Sequence, residues 1–155
     1  MKYSALCILV LVLSVTVTSC GGQLDYTVWS PQLLEEAEGG DALAQHQLGM
    51  IYSFGQGVPN DEKEAMKWYR KAADQGYVMA QHSIGYAYRT GLGVLKDYVT
   101  AYAWYSLSAF NGNEKGQENR DRLAEKMTPE QIAEAQELSK ELLKQIEENK
   151  KKKAK

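Results

Sequence analysis

The chain of 155 residues is poor in the groups most enzymes use: two cysteines, Cys7 and Cys20, and two histidines, His46 and His82. Cys7 lies in an apolar N-terminal run expected to be removed, so no pair is left for a disulfide and no thiolate cluster for a metal. A zinc site needs three or four ligands, and no such set is evident. Neither G-x-S-x-G nor H-E-x-x-H occurs, so two common hydrolytic machineries are missing. Positive charge is not in excess either. A formal net charge of -2 argues against nucleic acid as a partner. Long hydrophobic runs are also lacking: the stretch from Ala5 to Val17 is too short for a comfortable membrane span but suits the core of a signal peptide.

That run ends in Val17-Thr18-Ser19-Cys20-Gly21. An aliphatic residue, two small residues and a cysteine resemble a bacterial lipobox. The resemblance implies a signal peptide over residues 1–19, cleavage before Cys20 and lipidation of Cys20 itself. Ordinary secretion with a free Cys20 is the alternative. Gly21 stands where the inner-membrane retention signal would place Asp, which points to the outer membrane. Residues 20–29 then form a tether of at most about 30 Å.

What the chain does have is a repeat. AQHQLGMIYSFGQGV from Ala44 returns as AQHSIGYAYRTGLGV from Ala80, and the register of 36 holds through Trp68-Tyr69 and Trp104-Tyr105 to Gly76 and Gly112. Each unit, 41–76 and 77–112, carries two helical stripes. Ala44, Leu48, Ile51 and Tyr52 mark helix A, repeated as Ala80, Ile84, Ala87 and Tyr88; Ala65, Trp68, Tyr69 and Ala72 mark helix B. Gly55 to Asn60 and Gly91 to Lys96 form the turns between them. Asp61 and Asp97 are expected to cap the B helices, with Glu64 completing a capping box on the first. Gly76 and Gly112 are expected to close those helices. Gly49 and Gly85, inside the A helices, imply close approach by an aromatic ring of a neighbouring B helix.

The flanks look like degraded units. Ser30-Pro31 starts a lone capping helix over 31–38, a helix from 114 to 126 follows the second repeat, and Thr128-Pro129-Glu130-Gln131 opens a last helix with its own capping box. Ile132, Ala135, Leu142, Leu143 and Ile146 give that helix a stripe able to seal the array. The expected division is a solenoid over 30–146, with capping segments 30–40 and 113–146, and a basic tail over 147–155. From Cys20 to Glu62 there are seven acidic residues and no Lys or Arg, against six Lys from Lys144 to Lys155. The molecule should therefore be a dipole, acidic at its anchored end.

The string A-x-A-Q-x-x-L-G-x-x-Y-x-x-G-x-G-V followed by D-x-x-x-A-x-x-W-Y-x-x-A-A-x-x-G, from Ala42 to Gly76, resembles the Sel-one-like repeat, a relative of the tetratricopeptide repeat. The resemblance implies an all-α fold, a right-handed α-solenoid of helix-turn-helix repeats, and a non-enzymatic protein-protein interaction module acting as adaptor or scaffold. It places ligand-facing positions on the A helices at Leu43, His46, Met50 and Ser53, then Met79, His82, Tyr86 and Arg89. The competing reading is that Leu43, Met50 and Met79 only pack against the preceding repeat. The partner would be an unidentified protein or peptide, with the membrane reached through Cys20, and no metal or cofactor is expected. His46 and His82, about 10 Å apart on parallel helices, should not converge on one ion. They read as plain groove or surface histidines. An envelope enzyme or enzyme inhibitor acting on peptidoglycan or host factors is the alternative function.

Overall fold

A computed structural model describes residues 29–154, so the predicted signal peptide, Cys20 and most of the tether lie outside the described residues. Seven helices follow one another: α1 Pro31–Glu38, α2 Ala42–Phe54, α3 Glu62–Ala73, α4 Val78–Thr90, α5 Tyr98–Phe110, α6 Glu114–Ala124 and α7 Pro129–Lys153. No strand occurs among the described residues, and the paired helices form an α-solenoid.

Local signals set the helix starts. Ser30 Oγ accepts from Leu33 N at 3.1 Å, with Pro31 in the first turn where its missing N–H costs nothing. Asp61 accepts from the backbone N–H of Lys63 and Glu64, and Asp97 from those of Val99 and Thr100. Thr128 and Gln131 form the expected capping box. The box expected at Asp61 does not form: the Glu64 carboxylate turns to Lys67 at 2.6 Å instead. One cap was missed, Asp41, which accepts from Ala44 N at 2.7 Å. Its counterpart in the second repeat, Tyr77, makes no side-chain cap bond. The A helices end on Gly55 and Gly91 in the left-handed conformation, φ 68 and 84, where any side chain would be strained. Asp74 and Asn111 cap α3 and α5, with Gly76 and Gly112 turning the chain just beyond.

Packing follows the repeat. Trp68 joins Leu33, Ala44, Leu48 and Ile51 in one apolar cluster, and Trp104 joins Ala80 and Ile84 in the next, so each B helix buries its tryptophan against its own A helix. Gly49 and Gly85 are where the tyrosines come closest. A Cβ added at Gly49 would lie 2.5 and 2.6 Å from two Tyr69 ring carbons, and one at Gly85 would lie 2.7 Å from Tyr105. The expected aromatic approach is therefore present in both units, and it is made by tyrosine.

The last helix continues through the basic segment to Lys153, a rod of about 37 Å at the usual rise, and that segment is docked instead of solvated. Ala135 packs with Ala101, Tyr105 and Leu123, whereas Ile146 packs with Ala65, Ala72 and Ala73 of the first repeat. So α7 runs back across the B helices of both repeats. Lys150 lies over Gly76 and Lys153 Nζ donates to Gln75 Oε1 at 2.7 Å. The basic segment therefore returns to the acidic end of the molecule, and the expected charge dipole is folded back on itself. The helix before it ends at Ala124, two residues earlier than expected.

Candidate functional site

Helices α2 and α4 lie side by side, and between them opens a cleft of about 510 Å³. Six of the eight predicted groove residues line it: His46, Met50 and Ser53 from α2, and Met79, His82 and Tyr86 from α4. Leu43 is 49% exposed and lies outside the cleft. Arg89 is also outside, with Nε donating to the Tyr105 hydroxyl at 3.3 Å and its guanidinium 4.9 Å from the centre of the Tyr86 ring. The competing core reading fails for Leu43 and for Met79, which is 45% exposed, since neither is covered by the preceding repeat. Met50 is partly buried, against a cluster formed by its own repeat and the following one.

Sequence reasoning missed Phe54, Glu62, Tyr69, Ser83, Leu92 and Lys115, which with Ala87, expected only as core, complete the lining. Phe54 had a signal, because it lies four residues after Met50 on the same stripe, and it is 67% exposed. Tyr69 was legible only as core. Glu62 and Lys115 come from α3 and α6, whose approach to the cleft depends on tertiary packing. Glu62 accepts from Ser53 Oγ at 3.0 Å, so one end of the cleft carries an engaged carboxylate.

The histidines form an inter-repeat ladder. His46 Nε2 lies 3.2 Å from Ser83 Oγ, and His82 Nε2 lies 3.0 Å from Asn119 Nδ2, each partner 37 residues further on. The Ser83 hydroxyl donates to the Met79 carbonyl at 3.0 Å, so its oxygen accepts from His46 Nε2–H. His82 Nε2, facing an amide donor, is the acceptor. The two rings therefore hold opposite tautomers, both neutral. Burial, and secondarily the charge on His82, lowers the pKa of His46 to about 4, and burial with Lys115 and Arg89 lowers that of His82. His46 is only 6% exposed and sits between the tilted rings of Tyr69 and Tyr77, with centroids 5.5 and 5.3 Å away, so it is a floor residue and not a surface one. Among the described residues no group of three or more His, Cys, Asp or Glu is placed to hold a metal ion.

A second set of polar bonds runs along another side of helix A. Gln75 Nε2 donates to Gln45 Oε1, and Asn111 Nδ2 to Gln81 Oε1, again in register of 36. Gln45 and Gln81 are buried, and Gln45 also donates to the Ala37 carbonyl at 2.9 Å. These bonds satisfy amides that would otherwise be costly to bury. Each amide pair ties helix A to the end of helix B within its own repeat, and the bond to Ala37 ties the first repeat to α1.

Stacked helix pairs with an open, mostly apolar cleft on the A-helix side define an α-solenoid of the interaction type. The Sel1 repeat model matches residues 42–77 and 78–113. Among solved structures, a Sel1 repeat protein from Oxalobacter formigenes shares 42% identity, with 58% of this chain and 68% of that chain covered and a TM-score of 0.57. A protective antigen present in uropathogenic Escherichia coli strains, displaying an SLR fold, shares 37% identity over 77% of this chain with a TM-score of 0.71. This chain covers 26% of that antigen's length. No functionally curated protein is similar enough to match. The chain belongs to the Sel1 repeat family, whose members are typically protein-interaction modules built on non-enzymatic scaffolds.

Proposed function

We propose that this protein is a lipid-anchored, non-enzymatic adaptor of the bacterial envelope, held at the outer membrane through Cys20, and that it binds a peptide segment of a partner protein in the cleft between α2 and α4. The observation that carries the reading is the exposure of Met79, Tyr86 and Phe54, at 45%, 44% and 67%, around one concave opening. Large apolar side chains gathered at one opening mark interaction sites more often than scattered ones do. Neutral histidines on the floor favour an apolar or hydrogen-bonding ligand over a highly charged one. A place facing outward accords with the similarity to a protein that is itself a protective antigen. No nucleic acid is expected, given the net charge of -2.

The test uses positions that do not bear on the core. Met79→Glu with Tyr86→Glu should abolish partner capture while helicity and melting temperature stay near the parent values. Met50 is avoided because it contacts the core cluster. A photo-crosslinker at Tyr86 should capture one partner in the native membrane, whereas one at Leu95, 91% exposed and outside the cleft, should not. Undiminished capture by the double variant, or equal yield from Leu95, would place the binding surface elsewhere.

A further inference from the structure

We propose that the lysine-lined cleft between α3 and the end of α7 seats the protein on an anionic phospholipid surface. The proposal rests on the envelope reading above and adds a second membrane contact to it. The cleft has a volume of about 660 Å³ and brings together Lys71, Lys150, Lys152 and Lys153. One carboxylate, Asp74, faces these four cations, and the remaining polar lining is neutral amide. Ion pairs among the described residues engage Lys67, Arg120 and Lys140, so the cleft lysines have no carboxylate partner there.

The cleft is built, since α7 stays helical through Lys153 and docks on the first repeat through Ile146 and the bond from Lys153 Nζ to Gln75. Lys71 is held at the rim with its ammonium 3.8 Å from the centre of the Trp68 ring. Position selects the bilayer as occupant. Lys153 faces Gly40, where α1 ends, and α1 is eight residues long, about 12 Å. The cleft and the start of the solenoid thus share one end of the molecule, within reach of a tether of at most about 30 Å from Cys20. A polybasic patch beside a lipid anchor is a known kind of membrane contact, drawn to anionic headgroups. Glu35, Glu36 and Glu38 on α1 lie at this end too, so the attraction is local to the cleft and decays within a Debye length of about 8 Å.

The full chain carrying Cys20→Ser removes lipid from the measurement. Its partitioning is compared between vesicles of phosphatidylcholine alone and vesicles of equal parts phosphatidylcholine and phosphatidylglycerol. The ratio is the readout, in which uncharged contributions cancel. Each lysine near an anionic leaflet contributes about fivefold in partitioning, so Lys71→Gln with Lys152→Gln should lower the ratio roughly 25-fold with unchanged circular dichroism. Lys71→Arg with Lys152→Arg should restore it. Inorganic phosphate in the same assay should compete weakly, because it lacks the extended surface. Equal partitioning onto both vesicles, an unchanged ratio in the glutamine variant, or full displacement by phosphate would each overturn the proposal. An unmodified Cys20 in the native protein, read by mass spectrometry, would remove the anchor and leave the vesicle result standing.

Discussion

Gly49→Ala should destabilise this protein, although the same change in an ordinary helix interior stabilises by about 1 kcal/mol. The reason is the Tyr69 ring, two of whose carbons would lie 2.5 and 2.6 Å from the new methyl, with the Ala65 carbonyl oxygen at 3.2 Å. Ordinary contact begins near 3.4 Å, so the ring must retreat by roughly 1 Å. It has little room: Tyr69 is 6% exposed and abuts His46, with ring centroids 5.5 Å apart. Overpacking in a dense core costs about 1–3 kcal/mol, and a clash with a rigid ring on a packed helix belongs at the upper end. Setting about 3 against the propensity gain of about 1 leaves a net loss of roughly 2 kcal/mol, which for a domain of this size lowers the melting temperature by roughly 5–10 °C. Gly85→Ala, facing Tyr105 at 2.7 Å, should show the same sign. Chemical denaturation of the two single variants and of Gly49→Ala with Tyr69→Leu gives the coupling. The double variant should lose less than the sum of Gly49→Ala and Tyr69→Leu alone, since the smaller side chain vacates the space. A rise in melting temperature for Gly49→Ala, or strict additivity in the cycle, would refute the close-approach argument.

Two further outcomes follow from the same side chains and the N-terminal motif. His46 titrates near 6.5 when unfolded and at about 4 when folded, so below pH 6.5 the unfolded chain takes up a proton that the folded one refuses, and stability is lost as pH falls through that window. Between pH 7 and pH 5 the loss from His46 is about 2 kcal/mol, so the stability difference between parent and His46→Gln should shrink by that amount; an identical pH slope in the two would dismiss the buried neutral histidine. Cys20→Ser should release the processed protein from membranes washed at high salt, where the lysine contact is screened. Its retention there would exclude the lipid anchor.

Much of the fold was legible in the chain itself because the signals are local. Ser30-Pro31, Asp61, Asp97 and Thr128 mark helix starts by hydrogen bonds that span three residues or fewer. The period of 36 repeats each apolar stripe, so Ala44 and Leu48, then Ala80 and Ile84, could be assigned to the core before any packing was known. The groove was half legible for the same reason: Met79 and Tyr86 share a helical face with His82, and helical geometry alone turns that face away from Ile84. It was not legible that Arg89 would leave the groove for Tyr105, or that Glu62 and Lys115 would enter it, because both depend on the rotation between successive helix pairs.

The sequence by itself determined that the chain is an all-helical solenoid of two units with degraded ends, since helix periodicity, caps and turns are encoded within a few residues of one another. Tertiary structure alone decided what those units share across their boundaries. Whether Glu64 would complete a cap or pair with Lys67 was a choice between two partners equally near in sequence, settled by side-chain placement. That His46 and His82 are neutral members of an inter-repeat ladder depends on Ser83 and Asn119 arriving 37 residues later at hydrogen-bonding distance. That the lysine-rich end is a docked helix rather than a solvated tail depends on Ile146 reaching a core cluster whose other members begin at Ala65. Such long-range contacts form only when separate segments are already folded and stacked, and no local pattern in the chain records their geometry.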